Sequence, residues 1–255
     1  MTGPLTIAAL PAIPEVHAGT DLAQLIGAAL RQTQRPIGPH NVIVVAQKIV
    51  SKAEGRLVVL DDVTPSPRAL ELAAATGKPA ALVEVVLRES SEVLRVRQNV
   101  LIVRHRLGYV VANAGVDQSN VLSGDGREAC LLLPLDPEAS ARAIRAGLAP
   151  YVDALPAVIV SDSFGRSWRR GVINVALGSA GLPALIDRRG HTDRHGRVLR
   201  VTEVALADAL AAAAGVVMGE GNEGTPVVLI TGSEWSAPEC GAANLVRPLD
   251  EDLFR

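Results

Sequence analysis

Only three of the 25 basic residues in this 255-residue chain are lysines: Lys48, Lys52 and Lys78. A lysine kept in so arginine-rich a composition marks a position that needs a compact ammonium rather than a guanidinium fork. Lys48 and Lys52 sit four residues apart. Two aspartates stand near strand ends. Asp162 follows the apolar run Ala157 to Val160, between the hydroxyls of Ser161 and Ser163. Asp117 follows the strand Tyr109 to Ala112 through Asn113-Ala114-Gly115-Val116, where the glycine permits close backbone approach. Carboxylates with hydroxyl oxygens are hard donors that suit Mg²⁺ or Mn²⁺, ions that usually keep contact with substrate phosphates. On spacing alone, turn and capping roles account for the same residues equally well.

Beyond Asp162 runs Phe164-Gly165-Arg166-Ser167-Trp168-Arg169-Arg170-Gly171. Its three arginines read as a clamp for an anionic substrate or as a solvated basic loop. The stretch Gly219-Glu220-Gly221-Asn222-Glu223-Gly224 matches GxGxxG, but a helical pattern precedes it and Pro226 with a strand follows it. A dinucleotide site needs the reverse order, with the glycines opening a helix. A nicotinamide oxidoreductase is therefore disfavoured, while a glycine turn carrying carboxylates still suits phosphate or metal. Gly77-Lys78 precedes Pro79, so it is no Walker A motif. His191 and His195 have ligand spacing only if helical, and their arginine- and glycine-rich flanks read instead as an exposed turn. His17, His40 and His105 are isolated. Taken together, the lysines, aspartates, glycine turn and arginines suit metal-assisted chemistry on a nucleoside triphosphate, with a second anionic substrate nearby.

The composition is that of a globular protein, 48% apolar and 20% charged with a net charge of −2. With 2% aromatics and no basic field, a nucleic-acid platform is not expected. The longest apolar stretch, Ala209 to Met218, is about half a membrane span. Met1-Thr2-Gly3-Pro4 lacks a basic leader, and Cys130 and Cys240 form no disulfide framework, so a reduced cytoplasm is the expected compartment.

Local patterns predict the elements that carry these residues. Strands are expected at Leu5 to Ala9, Val42 to Ala46, Leu57 to Leu60, Val100 to Arg104, Tyr109 to Ala112, Ala129 to Leu133, Ala157 to Val160 and Val227 to Ile230. Helices are expected after Thr20 or Asp21, over Pro67 to Thr76 with Gly77 as the stop, and over Ala80 to Glu89. Two more are expected from the Asp136-Pro137 cap to about Val152, and from a Thr202 cap to about Gly215. Strands sometimes follow helices and sometimes pair locally. This predicts an α+β fold with mixed sheets and a β-rich second lobe, in a single domain spanning residues 1–255.

At these segments the chain resembles the coenzyme F420-0:gamma-glutamyl ligase family. The likeness is carried by Leu10-Pro11-Ala12-Ile13, by Val45-Ala46-Gln47-Lys48-Ile49-Val50-Ser51-Lys52-Ala53-Glu54-Gly55 and by Ala112-Asn113-Ala114-Gly115-Val116-Asp117-Gln118-Ser119-Asn120-Val121. It continues through Ser161-Asp162-Ser163-Phe164-Gly165-Arg166-Ser167-Trp168-Arg169, then Thr202-Glu203-Val204-Ala205 and Val217-Met218-Gly219-Glu220. The resemblance implies a GTP-dependent ligase of deazaflavin cofactor synthesis that adds L-glutamate to F420-0 and then further γ-linked glutamates, through an acyl phosphate. It also implies the family's mixed α+β fold as a homodimer, with Mn²⁺ or Mg²⁺, two divalent ions in all, and K⁺ as a further ion.

Position by position, the resemblance makes Asp117, Asp162, Ser163 and Glu220 the metal ligands. It makes Leu10, Pro11, Ala12, Ile13, Gln47, Lys48, Lys52 and Asn120 contacts to GTP, with Met218, Gly219, Glu220, Gly221, Asn222, Glu223, Gly224 and Thr225 completing that pocket. Arg166, Arg169 and Arg170 are candidates to hold F420-0 or glutamate by charge alone. The expected partners are F420-0, L-glutamate and GTP, with neither nucleic acid nor membrane. Some family members carry a nitroreductase-like domain after this region, so the expectation is either a stand-alone ligase or the first domain of a longer protein. A non-catalytic deazaflavin- or nucleotide-binding module is the alternative.

Overall fold

The computed structural model describes residues 3–119, 121 and 126–252. The first half of the chain runs β1 (Thr6–Ala9), α1 (Leu22–Gln32), β2 (Val42–Ala46), α2 (Gln47–Ala53), β3 (Leu57–Val59), α3 (Pro67–Thr76), α4 (Ala80–Arg88), β4 (Ser90–Arg97), β5 (Val100–His105) and β6 (Val110–Ala112). The second half runs β7 (Ala129–Leu131), α5 (Pro137–Gly147), β8 (Ala157–Arg166), β9 (Arg169–Ala180), β10 (Leu185–Asp187), β11 (Glu203–Ala205), α6 (Leu206–Met218) and β12 (Val227–Thr231). Several sheets and six α-helices among the described residues make this a mixed α+β fold, as the sequence predicts. None of the described helices is long and apolar enough to cross a membrane.

The main sheet has the order β1-β12-β2-β8-β9. Its neighbours are antiparallel except for β2 and β8, which run parallel. The runs Val42-Ile43-Val44-Val45 and Ala157-Val158-Ile159-Val160 are fully buried because helices cover both faces. Ile43, Val45, Val158, Val160 and Leu229 pack with Ile26 and Leu30 of α1 and Ile144 of α5. Val42, Val44, Ile159, Val228 and Ile230 face Leu210, Ala211 and Ala214 of α6. Each fully buried branched side chain contributes roughly 1.5–3 kcal/mol, so this core holds the sheet's register firmly. Smaller clusters lie around α3, α4 and β5, and around Leu82, Val85 and Cys130.

The starts of α1, α3, α4 and α5 fall where the sequence places them. Asp21 caps α1 at Gln24 N (3.0 Å), Ser66 caps α3 at Ala69 N (3.2 Å), and Asp136 caps α5 at Ala139 N (2.9 Å). Gly77, at φ 70°, ends α3. Four differences have physical causes. Helix α5 stops at Gly147 and a short 3₁₀ turn, Ala149–Tyr151, follows, because Pro150 cannot continue the ladder. Thr202 is not the cap of α6, since β11 intervenes and the helix opens at Ala205 without a side-chain cap. Strand β4 carries its charges on an exposed face, which masks its alternation.

The fourth difference matters most. Strand β8 does not end at Ser161 but continues to Arg166 and returns as β9, a strand that periodicity does not reveal. The outer half of this hairpin extends past the helices, so it needs no apolar face. The inner half of β9 is the edge of the sheet, and carboxylates cap its free N–H groups. Asp208 accepts from Ala176 N (2.8 Å), Glu138 from Ser179 N (3.2 Å) and Glu239 from Gly181 N (2.7 Å).

Glu89, buried at the end of α4, ties the small three-stranded sheet β4-β5-β6 to the chain following α2. Its carboxylate lies 2.8 Å from Arg56 Nη2, 3.2 Å from Arg106 Nε and 3.5 Å from His105 Nε2. Burial alone would raise its pKa, but His105 and the two guanidinium charges outweigh it and bring it down to about 2. A depressed carboxylate stabilises the fold above its unfolded pKa and loses that contribution as pH falls through its folded value. Acid unfolding of the wild type should therefore steepen between pH 4.5 and about 2, with roughly 3 kcal/mol at stake. Glu89→Gln should be less stable at pH 7 yet flatter across that window, as read by urea midpoints from pH 7 to pH 2. Parallel pH profiles would refute this role.

Candidate functional site

The register of the main sheet sets one row of residues at one end. Leu10 N donates to Val227 O (2.9 Å), and Ala46 N donates to Pro226 O (2.8 Å). Ala46 pairs with Ser161 across the parallel β2–β8 ladder, and Asp162 pairs with Val175 beyond it. The loop after β1, the entry to α2, the Ser161-Asp162-Ser163 segment and the loop leading from α6 into β12 thus meet at one sheet end. These are the Leu10–Ile13, Gln47–Lys52, Asp162–Ser163 and Met218–Thr225 segments marked in the sequence.

Strand β2 passes into α2 with no connecting loop, since Ala46 is the last extended residue (φ −62°, ψ 131°). The four-residue spacing of Lys48 and Lys52 therefore becomes one helical face. Lys48 Nζ lies 2.7 Å from Asp117 Oδ2, 2.9 Å from Ser119 O and 3.0 Å from Ser119 Oγ. Lys52 pairs with Glu15 and lowers its pKa, tying α2 to the chain just after Ile13. Gln47 is buried and accepts from Ser51 Oγ (2.8 Å), so its carbonyl oxygen is held inside α2. Ala12, in the loop beyond β1, has φ 55°, a left-handed conformation that a residue with a Cβ adopts at a cost.

Asp117 arrives on a more strained turn. Asn113, Ala114 and Gly115 all have positive φ, 51°, 56° and 68°. Asp117 then bridges to Leu131 through paired backbone hydrogen bonds, Asp117 N to Leu131 O (3.0 Å) and the reverse (2.8 Å). Its Oδ1 accepts from Ser119 N and Ser119 Oγ, both at 2.7 Å. Burial would raise its pKa, but the Lys48 and Ser119 contacts prevail and lower it, so Asp117 is an anion at neutral pH.

Asp162 lies within electrostatic reach of Asp117 and Lys48. Desolvation is the main cause of a pKa raised to about 7, and the charges of Asp117 and Glu220 add to it. The Ser163 backbone N–H and the Lys48 charge act against the rise. Glu220 thus bears on Asp162 through space although its own side chain is exposed. In the same loop Glu223 accepts from Gly221 N (2.8 Å), and its carboxylate lies so close over Gly219 that a Cβ there would approach to 2.2 Å. Thr225 Oγ1 lies 2.9 Å from the carbonyls of both Val217 and Met218, which fastens the loop to the end of α6.

Among the described residues, no three of His, Cys, Asp and Glu come together tightly enough to hold a metal by themselves. The donor set nevertheless fits a hard divalent ion. Asp117 pairs with the Lys48 ammonium, Asp162 feels that charge together with those of Asp117 and Glu220, and phosphate oxygens would supply further hard donors. Ser161 Oγ, beside Asp162, is buried and has no hydrogen-bond partner among the described residues.

Arg166, Arg169 and Arg170 lie at the far end of the β8–β9 hairpin. Arg166 Nη2 donates to Arg170 O (3.1 Å) while Arg169 and Arg170 are exposed. Tyr109 braces this hairpin through its hydroxyl, which donates to Leu177 O (2.7 Å), and through a T-shaped contact with Phe164 at 5.9 Å. His191 and His195 lie in an exposed turn organised by Asp193, which accepts from His195 N and Arg197 N at 2.9 Å, so their spacing is not helical. The GxGxxG stretch follows α6 and precedes β12, the order read from the sequence. Asn120 lies outside the described residues.

Two residues of the site carry no sequence assignment. Ser119 holds both Asp117 and Lys48, and the Asp-x-Ser spacing of an Asx turn was its available signal. Glu15, partner of Lys52, has no local signal.

Comparison with known proteins gives a consistent answer. The family model described as F420-0:Gamma-glutamyl ligase matches residues 12–232. The coenzyme F420:L-glutamate ligase of Methanothermobacter thermautotrophicus is 43% identical over 253 residues, covering 98% of this chain and 99% of that protein. Those of Methanocaldococcus jannaschii and Halobacterium salinarum are each 42% identical, covering 87% and 97% of this chain and 87% and 94% of their own lengths.

The turn before Asp117 yields a direct test. A Cβ on Gly115 would stand 2.9 Å from Leu133 Cδ1 at φ 68°, so Gly115→Ala combines a clash with a left-handed strain. It should cost about 1–3 kcal/mol in urea unfolding. Gly165→Ala, with nothing within 4 Å, should stay within about 0.5 kcal/mol of wild type. Equal stabilities would show that this turn is not fixed as described.

Proposed function

The chain belongs to the F420-0:gamma-glutamyl ligase family, and on that premise we propose that it joins L-glutamate to coenzyme F420-0 at the expense of GTP, then adds further γ-linked glutamates. The observation that carries this reading is the convergence at one sheet end of the Leu10–Ile13, Lys48–Lys52, Asp162–Ser163 and Met218–Thr225 segments, with Asp117 joined to them by Lys48. A carboxylate is a poor acyl donor because its charge is delocalised and oxide is a poor leaving group. Transfer of the γ-phosphoryl group of GTP to the F420-0 carboxylate gives an acyl phosphate. The glutamate amine then attacks its carbonyl carbon, forming the amide and expelling phosphate.

Each segment has a task in that sequence. Lys48 and Lys52, on one face of α2, place ammonium groups against phosphate oxygens. The loop beyond Leu10 and the Met218 to Thr225 loop enclose the nucleotide from either side of the β12–β2 edge. Asp117, Asp162 and Ser163, with Glu220 nearby, would hold the divalent ions, Mn²⁺ or Mg²⁺. Such ions neutralise triphosphate charge and orient the transferred group. Arg166, Arg169 and Arg170 lie down the hairpin from Asp162, where guanidinium groups suit the carboxylates and phosphodiester of F420-0. A homodimer and a reduced cytoplasmic setting complete the proposal.

Mass spectrometry of F420-0 incubated with the protein, L-glutamate, Mn²⁺ and either GTP or ATP tests this reading. Stepwise glutamyl additions are expected with GTP and should vanish on chelation. Asp117→Ala and Asp162→Ala should each lower the rate about 100-fold or more while keeping the wild-type circular dichroism, since they remove ligands for ions worth several kcal/mol of transition-state stabilisation. Absence of any glutamyl product from folded, GTP-binding protein would point to a binding module instead. Full activity in either variant would remove that aspartate from the site.

A further inference from the structure

We propose that Lys48 is the built-in competitor of the divalent ion at Asp117, and that displacing its ammonium is what delivers Lys48 to the triphosphate. The proposal rests on reading Asp117 as a metal ligand, and it adds an order of events to that reading. Both carboxylate oxygens of Asp117 are engaged. Oδ1 accepts twice from Ser119, and Oδ2 takes the Lys48 ammonium at 2.7 Å. Lys48 is equally saturated, since its three donors have three acceptors: Asp117 Oδ2, Ser119 O and Ser119 Oγ. An ion that takes Oδ2 as a ligand meets the Lys48 ammonium at the same oxygen, and the repulsion between the two cations opposes its binding until Lys48 moves away. A phosphate that takes Lys48 must likewise draw it away from Asp117.

The pair is poised rather than locked. The two side chains retain 25% and 32% of their exposure, so solvent screens the attraction, and exchange of one cation for another is inexpensive. Lys48 sits in the first turn of a helix fixed by Ile49 and Val50 in the core, so its backbone stays in place while the flexible four-carbon stem swings. Metal and triphosphate then help each other through a single side chain. The ion releases the ammonium that the phosphate needs, and the phosphate removes the ammonium that the ion must displace. This is a coupling free energy between two ligands and is reciprocal.

The proposal makes a prediction whose sign differs from that of a plain phosphate anchor. Mn²⁺ binding to nucleotide-free protein is followed by the EPR signal of free Mn²⁺, for wild type, Lys48→Met, Lys48→Gln and Asp117→Ala. Removal of the ammonium should tighten Mn²⁺ binding about fivefold in both lysine variants. In the same variants GDP should bind more weakly, and the gain in Mn²⁺ affinity that GDP confers on wild type should shrink. Mn²⁺ binding that depends on Asp117 yet is unchanged or weaker in both lysine variants overturns the competition while leaving the metal-site reading intact. Equal Mn²⁺ binding by wild type and Asp117→Ala overturns the metal-site reading and the competition together.

Discussion

The parallel pairing of β2 with β8 is the constraint on which the rest of this molecule depends. A parallel pair places two carboxyl ends side by side, and here both ends lead into polar segments, α2 from one and Asp162-Ser163 from the other. Antiparallel pairing would have sent Lys48 and Asp162 to opposite ends of the sheet. The buried apolar residues along both strands fix the register, because a one-residue slip would turn Val158 and Val160 away from α1 and α5. The row of polar groups at this sheet end is thus located by hydrophobic burial some distance away. The antiparallel neighbours β12 and β1 extend the same row, and backbone hydrogen bonds from Leu10 and to Pro226 bring their loops to this sheet end.

Electrostatics supplies the second constraint. The charges of Asp117 and Glu220 both bear on Asp162, and the Lys48 ammonium, paired with Asp117, opposes them. Their environments separate their behaviour, since Asp117 is held as an anion by Lys48 and Ser119 while burial keeps Asp162 near pKa 7. A left-handed run at Asn113, Ala114 and Gly115 holds Asp117 in place, and backbone strain of that kind persists only where surrounding packing enforces it. Excess negative charge beside two lysines suits a ligand that brings both cations and phosphates.

Much of this was legible in the chain. The apolar runs of β2, β8 and β12, the caps at Asp21 and Asp136, and the Gly77 stop are local patterns, and local physics determines them. Lys48 and Lys52, singled out by their persistence against an arginine-rich background, and Asp117, Asp162 and the Met218 to Thr225 loop, singled out by the resemblance to the ligase family, converge at one sheet end. What was not legible is non-local. Glu15 meets Lys52 across 37 residues, and no periodicity encodes it. Strand β9 hides because its outer half pairs beyond the helical layers and needs no apolar alternation, while its inner edge is finished by carboxylates from three other parts of the chain. The Ser119 contacts were within reach of a reading of Asp-x-Ser as a turn that presents hydroxyl and carboxylate together.

The central claim is that the ends of β2 and β8 share one metal–nucleotide site, with Asp117 and Asp162 on the metal. Anomalous scattering from crystals grown with Mn²⁺ and GDP tests it most directly. The account predicts a manganese peak coordinated by the carboxylates of both Asp117 and Asp162, with GDP phosphate oxygens on its open side and Lys48 turned toward them. A manganese peak elsewhere, or phosphates bound away from the Leu10, Lys48 and Gly219 segments, would contradict it.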